Sequence, residues 1–178
     1  MVRKLAWEFH QASRVGTIAC RLPPHISLKQ PFPITNLAAL EGYLDSFART
    51  ITPFEIRLSK LQVVPTWWNG TEYGILWIDV EQTEALRTLH NRLNQELRQQ
   101  FENTEAPFDG PDYHFHMTVA IGGQSIEVYR QFYQELPDHR IDRSYITQEL
   151  AMFVYDEPGG PQGDFLTYKR LPIGKQQG

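Results

Sequence analysis

Apolar positions along this chain switch several times between a period of two and a helical period. Residues 3–9 read as a strand, and residues 10–22 carry no clear period. From His25 to Lys29 the chain alternates, with Ile26 and Leu28 pointing one way and His25, Ser27 and Lys29 the other. The QPFP that follows ends this strand, because proline cannot donate to a central ladder. The stretch between the first strand and His25 is short, proline-rich and holds no long helix. Leu37, Leu40, Leu44 and Phe47 form one stripe of a helix over 36–49, capped by Thr35 or Asn36. Residues 53–64 and 73–80 predict two strands of a hairpin around PTWWNGTEYG. Leu86, Leu89, Leu93 and Leu97 predict the longest helix, over 82–101. NTEAPFDGPD, at 103–112, is a loop. A strand over 114–121 follows, then a helix over 125–136. Two strands near 145–155 and 164–170, joined by DEPGGPQG, complete the chain before a GKQQG tail expected to be disordered.

This order repeats. After HISL, which begins at His25, come a strand, a helix, a strand, a Pro/Gly turn and a strand; after HMTV, which begins at His116, the same series follows. Each motif reads His, apolar, hydroxyl, apolar. Chance, two unrelated buried strands, or two copies serving one site would each produce that match. The shared element order points to a duplication and makes coincidence the weaker account.

Composition bounds the chemistry. The 178 residues suit one domain or two small lobes, with ordinary apolar (41%) and charged (21%) content. A net charge of −4 argues against an extended nucleic-acid surface, but a small phosphate-bearing ligand needs only a few cationic groups. The single cysteine, Cys20, allows no intrachain disulfide, which suits a reducing, cytoplasmic compartment; its expected place is in packing. No apolar run matches a signal peptide or the roughly 20 residues of a membrane span.

On a strand, a histidine and a hydroxyl two residues apart share a face, roughly 6–7 Å apart along the chain. Two such strands side by side would bring two imidazoles and two hydroxyls together. Histidine gains and loses a proton near neutrality, so a pair can hold one neutral and one protonated ring. The neutral ring takes a proton from water and the protonated ring gives one to a leaving oxygen. The hydroxyls hydrogen-bond phosphate oxygens as charge builds there. Cleavage of a phosphodiester needs these parts, and in principle no metal or other cofactor.

The segments PPHISLKQPF and FHMTVAIGG, in this element order, resemble the paired His-x-Ser/Thr-x motifs of the two-histidine (2H) phosphoesterase superfamily. That group includes 2′-5′ RNA ligase-like proteins and cyclic phosphodiesterases. The resemblance implies an α+β, bilobal fold: two pseudo-symmetric lobes of mainly antiparallel sheet, outer helices and a central groove. Approximate lobes are 1–80 and 81–172, with a tail at 173–178. It also implies metal-independent cleavage of 2′,3′-cyclic or related phosphodiesters of nucleotides or RNA ends, with reverse 2′-5′ ligation as the same chemistry run backwards. His25 and His116 would be the acid–base pair, in an order the motifs leave open, and Ser27 and Thr118 the phosphate-binding hydroxyls. A monomer suffices, because the duplication completes the site internally.

Other residues are further possible substrate contacts. Lys29 shares the inferred face of His25, and His114 lies two residues before His116 on the same predicted strand, as a residue orienting His116. Zinc ligation by His114 and His116 would need a third ligand that no nearby spacing supplies. Trp67 and Trp68, in the predicted turn, are placed either to stack on bases or to fold back on the sheet. Arg57 and Lys169 are secondary cationic candidates. His90 is expected on a solvated helix face, and Phe115 in the core. Two rivals stand beside the leading reading: a binding module that holds a nucleotide or RNA end without turnover, and a metal-dependent hydrolase built on His114 and His116.

Overall fold

The computed structural model describes residues 1–14, 22–155 and 165–174; Cys20, the DEPGGPQG turn and the tail beyond Gly174 lie outside these residues. Among the described residues, four helices and six strands follow in the order α1 (Val2–Ser13), α2 (Leu37–Thr50), β1 (Glu55–Trp68), β2 (Thr71–Val80), α3 (Glu84–Gln100), β3 (His116–Ile121), α4 (Ile126–Glu135), β4 (Arg140–Ile146), β5 (Glu149–Tyr155) and β6 (Phe165–Pro172). The fold is α+β. Its strands form a four-stranded sheet in the order β3-β2-β1-β4 and a separate β5-β6 pair. The β1-β2, β2-β3 and β5-β6 pairings are antiparallel.

The chain groups into two units, each drawn from three stretches: Met1–Ile26, Arg57–Glu81 and Phe115–Arg143 in the first, Ser27–Ile56, Gln82–His114 and Ser144–Gly178 in the second. The contiguous halves 1–80 and 81–172 are a different division of the same chain.

In the first unit, β2 and β3 alternate between an apolar and a polar face. Leu76, Ile78 and Met117 are buried on the apolar side, which is packed by α1 and α4. Phe9 of α1 lies 4.6 Å from the ring of Tyr129 and 5.0 Å from that of Phe132, both on α4. Gly74 is required here, because a Cβ at this position would meet the Tyr129 ring at 2.2 Å. The fully buried Tyr129 donates its hydroxyl hydrogen to the Gly122 carbonyl at 2.7 Å.

In the second unit, Leu40, Leu44 and Phe47 of α2 and Leu93 and Leu97 of α3 form a core with Met152 of β5 and Leu171 of β6. Burying each such side chain contributes roughly 1.5–3 kcal/mol. Asn36 caps α2 through its side-chain oxygen, which accepts the Ala39 amide at 3.0 Å, and Thr83 caps α3 through the Leu86 amide at 3.3 Å.

Several sequence expectations need correction. Residues 3–9 are helical, not a strand: Val2, Leu5, Ala6 and Phe9 recur at helical spacing, and Ala6 and Phe9 are the buried positions of α1. A 12-residue helix therefore stands where the first strand was expected. Residues 25–29 form no strand. Side chains take backbone groups here instead: the Leu28 carbonyl accepts from Asn94 Nδ2 at 3.1 Å, and the amide of Gln30, just past this segment, donates to Asp109 at 2.9 Å. The first hairpin turn is only Asn69-Gly70, both with positive φ (48° and 77°), so Trp67 and Trp68 are paired strand residues opposite Glu72 and Thr71. Strand β3 begins at His116, leaving His114 outside it and exposed. β4 adds a strand the polarity pattern did not predict, since most of its residues are exposed. His90 is fully buried rather than solvated.

Candidate active site

The second motif is built by β3. His116 and Thr118 alternate with buried Met117 and Val119, so imidazole and hydroxyl share the polar face of the sheet. Across the strand pair, Asp79 stands opposite His116 and Trp77 opposite Thr118. The Trp77 indole stacks on the His116 ring, with centroids 4.2 Å apart and planes 26° from parallel. Asp79 is only 7% exposed. Its carboxylate accepts the Trp77 Nε1 hydrogen at 3.0 Å and a hydrogen from the Gln62 amide. Gln62 lies opposite Trp77 on β1, so the hydrogen-bonded group behind the His116 stacking partner spans β1 and β2.

His25 also falls in the first unit. It is half-buried, and its Nδ1 is 2.9 Å from the Pro23 carbonyl. A carbonyl only accepts, so Nδ1 carries the proton and the Nε2 lone pair becomes the basic position of the neutral ring. Burial pushes the His25 pKa below its ordinary 6.5, against the opposing pull of the Pro23 carbonyl. The prolines that deny this segment a ladder thus also supply the acceptor that fixes its tautomer.

The second unit holds Ser27, Lys29 and His114. The Ser27 hydroxyl bonds the buried Tyr113 phenol, which also accepts from Gln30 Nε2 at 3.4 Å. Burial raises the Tyr113 pKa, and those two hydrogen bonds moderate the rise. Lys29 forms an ion pair with Asp109, with side chains 11% and 6% exposed. Its charge is therefore already engaged by a carboxylate. Tyr113 stacks on His90 at 4.7 Å, and its carbonyl accepts from Arg87 at 2.7 Å.

The remaining candidates are dispersed. Trp67 is 66% exposed at the hairpin end. Arg57 lies 3.8 Å from Glu81, and Lys169 is paired with Asp45 at 2.9 Å. Phe115 is fully buried, as its alternation predicts. Among the described residues, no group of three or more His, Cys, Asp or Glu side chains is arranged to hold a metal ion, and no helix is long and apolar enough to cross a membrane.

Sequence reasoning passed over Trp77, Asp79, Gln62 and Asp109. A signal existed for the first two: in the β2 run ILWIDV, Asp79 alternates with Ile78 and Val80 in an otherwise apolar strand, where an unpartnered carboxylate is rare. Asp109 had none, since aspartate is commonplace in loops.

Comparison with known proteins adds three findings. The family model described as the 2'-5' RNA ligase superfamily matches residues 6–159, a span that contains both His-x-Ser/Thr motifs. A Bacillus pumilus (strain SAFR-032) protein named "Putative phosphoesterase" is 30% identical over 104 residues, which is 56% of this chain and 52% of that protein. The chain thus matches about half the length of this curated relative. The crystal structure of the Thermus thermophilus protein TT0787 superposes with a TM-score of 0.51 at 17% identity, covering 98% of this chain and 93% of that one, which is a likeness of fold. On the family match, this chain belongs to the 2'-5' RNA ligase superfamily.

Proposed function

We propose that this chain is a phosphodiesterase for 2′,3′-cyclic or related phosphodiesters of nucleotides or RNA ends, with His25 and His116 transferring protons. Thr118 would hydrogen-bond a phosphate oxygen, and Ser27 would do the same on turning its hydroxyl from the Tyr113 phenol. In the hydrolytic step one neutral imidazole takes a proton from water and the resulting oxygen bonds phosphorus. The bond from phosphorus to one ribose oxygen breaks, and the other ring, protonated, gives that oxygen its hydrogen. The product is a ring-opened phosphomonoester, and no metal takes part. Burial favours the neutral form of His25, the form a base requires. Ligation of a 2′,3′-cyclic end is the same ring opening with a 5′ hydroxyl in place of water.

One observation supports the reading most. His116 and Thr118 present imidazole and hydroxyl together on one polar strand face, inside a chain whose family match spans both motifs. Trp67, exposed beside the hairpin turn, offers an indole face for a base. Lys29 enters as a structural cation, since Asp109 already neutralises it. The acidic balance suits a small substrate or an RNA terminus.

The test is to incubate the purified chain with each 2′,3′-cyclic nucleotide, with and without EDTA, and to identify products by chromatography. The reading expects a single phosphomonoester isomer, formed at an equal rate after chelation. Binding of cyclic nucleotides without turnover of any phosphodiester would favour the non-catalytic module instead. Turnover abolished by EDTA and restored by a divalent metal would favour the metal-dependent rival.

A further inference from the structure

We infer that Trp77 and Asp79 on β2 are positioning residues for His116: the indole lies on one face of the imidazole, and the buried carboxylate holds the indole there. This rests on the reading of His116 as a proton-transfer group, and it adds a device that the His-x-Thr motif does not contain.

Three features carry the inference. Asp79 and His116 are direct cross-strand partners, so their side chains rise from the same face at neighbouring positions. Asp79 is 7% exposed and sits on an apolar-flanked strand, where a carboxylate is unfavourable unless its oxygens are satisfied. It accepts from Trp77 on one oxygen and from Gln62 on the other. The Trp77 bond also fixes the indole plane, and that plane lies on the His116 ring at 4.2 Å. A diagonal pair such as Trp77 and His116 comes this close only when an aromatic side chain leans along the sheet. Two donors thus hold the carboxylate, the carboxylate holds the indole, and the indole restricts the imidazole. The sheet closes the system, because Gln62, Trp77, Asp79 and His116 sit at neighbouring register positions on three paired strands. A histidine that must present one nitrogen to a reacting oxygen needs its ring rotation restricted, and groups behind the ring serve that purpose in other histidine sites.

The experiment uses the full chain and two readouts. The first is imidazole NMR of the wild type with labelled histidine, assigned through His116→Ala. The inference expects His116 ring protons displaced upfield by the indole. That displacement should disappear in Trp77→Leu and largely survive in Trp77→Phe. The second is steady-state turnover of a 2′,3′-cyclic nucleotide. Asp79→Asn and Trp77→Leu should each lower kcat about 10- to 100-fold with KM within about twofold, and Trp77→Phe should recover most of the loss. Unshifted His116 ring protons in the wild type would overturn the inference without any variant having to fold. So would wild-type kcat in both folded variants while His116→Ala is inactive. Full turnover in His116→Ala would instead overturn the proton-transfer reading itself, whatever the NMR shows.

Discussion

The buried pair Lys29–Asp109 gives the account a quantitative test. Asp109 accepts from the Lys29 ammonium on one oxygen and from the Gln30 amide at 2.9 Å on the other. With side chains 11% and 6% exposed, water screens this pair little. Asp109→Ala strands an ammonium and an amide hydrogen together. Breaking one side of a buried pair costs about 3–5 kcal/mol, and orphaning the amide about 1–3 kcal/mol. The two losses share one segment and will not add in full, so about 4–5 kcal/mol is expected. Lys29→Met should cost somewhat less, about 3 kcal/mol, because Asp109 keeps the Gln30 amide. The double variant Lys29→Met/Asp109→Leu removes both charges and should recover about 2 kcal/mol relative to the summed single effects. Urea denaturation at pH 7 measures all three, with the m-value checked for constancy. A loss under about 1 kcal/mol for Asp109→Ala, or additive single effects, would refute the claim that this pair pins residues 27–30 in place of strand pairing.

Three further outcomes follow from the geometry. Gly74→Ala should destabilise the first unit by about 2–4 kcal/mol, because the new methyl displaces the Tyr129 ring; Gly74→Ala in a Tyr129→Ala background should cost much less. Both His25 and His90 have pKa values lowered by burial, so the unfolded chain, at about 6.5, takes up protons before the folded one does. Stability from this source is intact above about pH 6.5 and declines as pH falls toward the lowered folded values; thermal melts of His90→Gln should show a flatter decline there. Trp67→Ala should leave stability within about 0.5 kcal/mol. If the indole stacks on a base, the same change should also raise KM for a nucleotide but not for a base-free ribose cyclic phosphate.

Much of the fold was legible in the sequence wherever one period ran unbroken. The leucines of α3, the stripe of α2 with its cap at Thr35 or Asn36, and the alternation of β3 all predict the elements observed. Residues 3–9 failed because a short run containing Trp7 and Phe9 reads as extended, while Val2, Leu5, Ala6 and Phe9 carried the deciding helical period. At 25–29 the alternation was real but the ladder was absent: prolines on both sides left the backbone to Asn94 and Asp109, partners far away in sequence. His90 looked solvated because Arg and Gln surround it in sequence, yet it stacks on Tyr113. Of the site, the histidines and hydroxyls were readable as motifs. The Trp77–Asp79–Gln62 frame was not, because it exists only through strand register.

The most direct measurement is a kinetic double-mutant cycle on 2′,3′-cyclic nucleotide hydrolysis with His25→Ala, His116→Ala and the double variant, all shown to be folded. If the two rings exchange protons in one reaction, each single change lowers kcat/KM by about 10²–10⁴-fold, and the double is scarcely worse than the more severe single. Either single variant within about tenfold of wild type, or losses that multiply in the double, would contradict a shared two-histidine mechanism.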